Sequence, residues 1–278
     1  MTNAKPDSSE GDMAEITLSA EEQQADRRLT WKLFGLLMLG AVIGLLGIIP
    51  YSLSLSGPLP PLPIPLWLLL ILQIGENLVL FAVAVGLGLS LGRKVGLGAP
   101  ILRGWLAGEP DVPSRFRLLL APASMAGAAS AIAILALEVG VFAPRLSASP
   151  EISTGPPAWQ GFLASFYGGI NEELLLRFGV MTLLVWLGSK LTRSEQPGAG
   201  VVWTANLLAA VLFGLGHLPA TAAILPLTAL VVTRAVVLNG LAGVVFGWLY
   251  WRRGLLAAMV AHFSADIVLH VLAPLVLG

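Results

Sequence analysis

The chain has no cysteine, few charges and only three histidines, and each shortage excludes something. Without cysteine there is no disulfide framework, no thiolate metal site and no thiol nucleophile. Charged residues make up 12% of the 278 positions, well below the roughly one quarter of a soluble domain, which argues against a water-facing globule. The 16 Lys and Arg equal the 16 Asp and Glu, so no net field draws the chain to nucleic acid. No repeat of fixed period is visible, and with it goes the signature of an inverted-repeat transporter. What remains is apolar: 56% of residues are hydrophobic and the mean hydropathy is +0.83. The composition predicts an all-α, polytopic bundle of transmembrane helices embedded in a lipid bilayer.

Ten of the 32 charges fall within residues 1–28. That segment is polar and acidic, and reads as a disordered cytoplasmic tail with no cleavable signal peptide. Apolar runs of roughly 20 residues mark spans at about 31–50, 66–91, 118–143, 159–188, 201–217 and 254–276. The stretch 218–251 is long for one helix and short for two, and Pro226, Arg234 and Asn239 interrupt it. Seven and eight spans therefore both stand. Residues 29–150 form an N-terminal three-span region, and 151–278 a C-terminal core. Basic residues gather on the cytoplasmic side of membrane proteins. A cytoplasmic N-terminus puts Arg27, Arg28, Lys32, Arg93, Lys94, Arg103, Arg115, Arg117, Lys190 and Arg193 inside, and leaves only Arg145 outside before the fifth span.

Ionisable groups within the bilayer cost at least ~2.5–3.5 kcal/mol each on insertion scales, so every one asks for a reason. The densest cluster is Asn171-Glu172-Glu173-Leu174-Leu175-Leu176-Arg177 in the fourth span. Glu173 and Arg177 are spaced i, i+4 and can pair on one helix face. Glu172 is turned ~100° away, with no local counter-charge, and is free for chemistry. Phe213 and His217 share the i, i+4 spacing near the end of the fifth span, and His262 and Asp266 do so in the last. Asp266 is placed to fix the tautomer of His262 or to share a metal with it. His270 reads as structural or interfacial. Glu76, Asn77 and Glu138 read as helix–helix hydrogen-bonding groups, while Arg234 and Asn239 are within reach of the site. Trp31, Trp67, Trp159, Trp248 and Trp251 fall near span ends, as an interfacial belt requires.

Three motifs in order on separate apolar helices, Glu172-Glu173-x-x-x-Arg177, Phe213-x-x-x-His217 and His262-x-x-x-Asp266, resemble the CPBP family. That family comprises CAAX prenyl proteases and bacteriocin-processing proteins and is also called ABI. The text from Gly247-Trp248-Leu249-Tyr250 through Gly254-Leu255 to His262 is similar as well, and the resemblance covers about 160–270. It implies an intramembrane endopeptidase acting on membrane-associated peptides or proteins. Glu172 would activate the water, His217 would help to hold it, and His262 with position 266 would bind or polarise the scissile carbonyl. Glu172, His217, His262 and Asp266 also offer the N and O ligands of a catalytic Zn2+, so a metalloprotease and a metal-free glutamate mechanism both remain. An ionised Asp266 cannot donate to an oxyanion and suits a ligand or orienting role better. Rhomboid Gly-x-Ser-Gly, presenilin-type Gly-x-Gly-Asp and the His-Glu-x-x-His of site-2-type enzymes are all missing. Two other readings stay open: a catalytically silent scaffold or immunity protein of the same family, and a proton-coupled carrier using Glu172 and the histidines as a relay.

Overall fold

The structure is a computed structural model that describes residues 19–57, 61–146, 155–194 and 196–277. Among them all regular structure is helical, and seven helices are long and apolar enough to cross a membrane. The spans are Ala20–Ser56, Leu66–Val95, Val112–Arg145, Ala158–Leu191, Ala199–Ala222, Ala229–Arg253 and Leu255–Val276. Among the described residues the count is therefore seven. The stretch left open in the sequence is a short helical turn, Leu218–Ala222, followed by one long helix. Pro226 lies in the connection between them, and Thr228 caps the long helix by accepting from Val231 N–H.

The polar segment 1–28 gives its last part to the first helix. Its residues 1–18 lie outside the described residues, but from Ala20 onward the chain is helix. Ser19 and Glu22 form a reciprocal capping box, which satisfies two orphan donors and starts the helix ahead of the apolar run. This polar turn has a tertiary role: Asp26 accepts from Arg93 at 2.6 Å and also pairs with Arg103. Nearby, Leu255 N–H donates to Gly98 C=O at 2.9 Å. The starts of the first and seventh spans and the link between the second and third thus meet at one end of the bundle. At the opposite end the rings of Tyr51 and His270 meet edge to face, 5.6 Å apart.

The spans that matter for the site approach through missing side chains. A Cβ on Gly44 would lie 1.9 Å from Asn171 Oδ1, and one on Gly47 would lie 2.6 Å from the Leu163 carbonyl. This is the small-residue packing that replaces the hydrophobic drive inside lipid. Into the same seam Asn171 Nδ2 donates to Ala41 C=O at 3.0 Å. On the other flank, Gly127 of the third span rests against the Ala261 carbonyl of the seventh.

Candidate active site

The fourth span is not a regular α-helix where it carries the motif. Tyr167–Glu172 and Leu174–Met181 are π-helical turns. Closing i→i+5 instead of i→i+4 widens the helix and is a common device at functional positions. Glycine at 168 and 169 allows the seventh span to press against this widened stretch. A Cβ on Gly168 would lie 2.0 Å from Asp266 Oδ2 and 3.1 Å from His262 Nε2, and one on Gly169 would lie 2.9 Å from Phe263 Cβ.

The two adjacent glutamates part ways. Glu173 is wholly buried, and its Oε1 lies 3.1 Å from Arg177 Nη1 and 2.7 Å from His262 Nδ1. Arg177, 1% exposed, donates from Nη2 to the Gly243 carbonyl at 3.1 Å. Its guanidinium lies over the rings of Phe213 and Phe246, at 4.8 and 5.5 Å, as a desolvated cation favours. The i, i+4 pair is thus present despite the wider helix, and it does a second thing: Glu173 holds the imidazole of His262.

Glu172 keeps about a fifth of its side chain open. Its Oε1 stands 3.9 Å from His217 Nε2, and its Oε2 stands 3.5 Å from His262 Nε2. Both rings are fixed from behind. His217 Nδ1 lies 2.8 Å from the Phe213 carbonyl, an acceptor only, so it carries the proton and donates. His262 Nδ1 faces Glu173 in the same way. The His262 ring is further clamped by stacking on Phe246, with centroids 4.6 Å apart and an interplanar angle of 25°. Asp266 Oδ1 stands 3.7 Å from His262 Nε2. The orienting partner of His262 is therefore Glu173, 89 positions away, and Asp266 is on the Nε2 side of the ring, with Glu172.

All six residues singled out in the sequence meet in one place, drawn from the fourth, fifth and seventh spans. The other polar residues do not join them. Arg234 donates from Nε to Glu138 at 2.7 Å, tying the sixth span to the third. Asn239 donates to the Ala235 carbonyl of its own helix, and Asn77 to that of Gln73. His270 Nδ1 is 3.4 Å from the Tyr51 hydroxyl. Sequence reasoning missed Gly168 and Phe246. The Gly-Gly step just before the motif was a readable sign of close approach, whereas nothing local distinguishes Phe246 from other apolar residues of its helix.

The donor chemistry suits zinc, with two imidazole nitrogens and two carboxylates facing one another. Among the described residues, however, no three His, Asp or Glu stand as a ready-made ligand cluster.

Compared with known families, residues 154–268 match the Rce1-like model, described as Type II CAAX prenyl endopeptidase Rce1-like. No curated protein and no solved structure matches the chain. The matched stretch takes in Glu172-Glu173-x-x-x-Arg177, Phe213-x-x-x-His217 and His262-x-x-x-Asp266 entire, and stops short of His270. The three motifs thus converge in a seven-span helical bundle, inside the stretch that is similar to this endopeptidase family.

Proposed function

We propose that the protein is an intramembrane endopeptidase that hydrolyses peptide bonds of membrane-associated peptides or proteins. The observation that carries this reading is the Glu172 carboxylate, held between Nε2 of His217 at 3.9 Å and Nε2 of His262 at 3.5 Å within a membrane-spanning bundle. These gaps suit a water hydrogen-bonded to Glu172 and His217. Glu172 takes a proton from the water as its oxygen attacks the carbonyl carbon, and later delivers that proton to the departing amine. With both ring nitrogens protonated, His262 donates Nδ1–H to Glu173 and Nε2–H to the developing oxyanion. Glu173, Glu172 and Asp266 stand around that ring at 2.7, 3.5 and 3.7 Å. Glu173 and Arg177 position the ring and do not touch the substrate.

Zinc is the second reading, favoured by the fixed rings: each histidine turns an Nε2 inward, the ligand geometry that a carboxylate or carbonyl behind the ring enforces. Glu172, His217, His262 and Asp266 would hold the ion, which would polarise the carbonyl as a Lewis acid.

The basic end of the bundle is assigned to the cytoplasm, which puts the N-terminus inside. With seven spans, Arg252 and Arg253 join the inner set.

The test is cleavage of a quenched-fluorescent peptide library by purified wild type and Glu172→Ala, each with and without a chelator. Cleavage by wild type that disappears in the variant is the expected result, and chelator sensitivity assigns zinc. A variant that cuts as well as wild type removes Glu172 as the base. Two equally inert proteins favour the scaffold reading.

A further inference from the structure

Outside the active site the molecule has a second concentration of unspent charge. At the basic end, Arg93 and Arg103 are both paired with Asp26, and Arg115 is paired with Glu109 and with Asp111 at 3.2 Å. Arg252 and Arg253 differ. Among the described residues neither has a carboxylate partner, although they are adjacent and exposed. They border a cleft of about 380 Å³ between the turn after the second span, the start of the helix Pro100–Ala107, and the tight turn at Gly254. Arg115 lies on its third side, and Ile101, Leu119 and Trp251 give it an apolar wall.

The walls of the cleft are fixed by the backbone. Gly254 has φ +83°, and a Cβ there would lie 2.5 Å from Pro100 Cδ. Leu255 N–H is bonded to Gly98 C=O. Trp251 is held edge to face against Trp203 at 6.1 Å, and the Arg252 guanidinium lies 5.5 Å from its ring centroid. The arginines therefore project from a built turn. A larger cleft by the first helix is lined by Glu21, Glu22 and Asp26 beside Arg28 and Lys32, and its mixed charge selects no ligand.

We propose that the cleft at Gly254 binds one phosphate-bearing anion through Arg252 and Arg253, supplied in the membrane by an anionic phospholipid. Arginine forks match phosphate oxygens in pairs, and basic pockets between helix ends on the cytoplasmic face are where such headgroups lodge. Acyl chains then run along Leu119, Ile101 and Trp251. The occupied site braces the turn that launches the seventh span, eight residues before His262.

The experiment is thermal unfolding of the full protein in neutral detergent, titrated separately with dioleoyl phosphatidylglycerol, dioleoyl phosphatidylcholine and sodium phosphate. Phosphatidylglycerol is expected to raise the midpoint saturably while phosphatidylcholine does not. Arg252→Gln with Arg253→Gln should raise the half-saturating concentration tenfold or more, and Arg252→Lys with Arg253→Lys by much less. Sodium phosphate producing the same shift, lost in the same double variant, would support the anion site and name soluble phosphate as its occupant. Because both side chains are exposed, the glutamine variant should unfold at the wild-type midpoint without lipid. If it does not, native mass spectrometry of retained phosphatidylglycerol on both proteins replaces the midpoint as the readout. No saturable shift with any anion overturns the proposal. So does an equal loss of response in Arg193→Gln, which removes one positive charge elsewhere at the same end.

Discussion

The second and fourth spans carry similar polar residues to opposite ends. The second has Gln73, Glu76 and Asn77 in mid-helix, and the fourth has Asn171, Glu172, Glu173 and Arg177. In the second span Gln73 and Glu76 are exposed on the bundle's outer surface, and Asn77 turns back on its own backbone. In the fourth, Asn171, Glu173 and Arg177 are sealed, and each reaches another helix. Residue type in a membrane span is thus a weak guide to role. What distinguishes the two helices is whether neighbours come close enough to make partners, and the glycines of the first and fourth spans decide that.

The sharpest way to break this contrast is at Glu172. Its replacement by Gln keeps the shape and removes the base, and peptide cleavage should fall by about 10³ with the unfolding midpoint unchanged. Next comes Arg177→Met, which leaves Glu173 buried against His262 without its cation. Stability measured by denaturant titration should drop by on the order of 3 kcal/mol. Gly168→Ala is expected to lower cleavage about tenfold while altering stability far less. Its added methyl would crowd Asp266 and His262, and a 1 Å displacement at a reacting group is costly in rate. Glu76→Gln is the smallest change. Both stability and cleavage should stay within about 0.5 kcal/mol of wild type, as for an exposed substitution without partners. A large effect of Glu76→Gln on either readout would dissolve the contrast between the spans.

Much of the architecture was legible because hydropathy works on long windows. Six of the seven spans follow from it directly, and the sixth in chain order, Ala229–Arg253, was obscured by Pro226, Arg234 and Asn239. Pro226 precedes its helix, Arg234 is neutralised by Glu138, and Asn239 bonds its own backbone, so none of them breaks it. The pair Glu173–Arg177 was visible because both residues lie on one helix. The bond from Glu173 to His262 was not, since nothing local says which helix lies opposite, and the nearer Asp266 offered an equally plausible partner. The π turns had no sequence signal beyond two adjacent glycines. Gly40, Gly44 and Gly47, spaced four and three apart in the first span, were a usable sign of a helix contact that hydropathy averages away.

The Asn171 bond to Ala41 links the neighbour of Glu172 to a helix that lies wholly outside the matched stretch 154–268. The π-helical stretch is packed between the first, second and seventh spans, and the first two of these lie outside the matched stretch. The recognisable motif region and the set of helices packed around the site are therefore different objects. A fragment trimmed to the former would keep every named residue of the site and lose the scaffold that keeps Glu172 aimed.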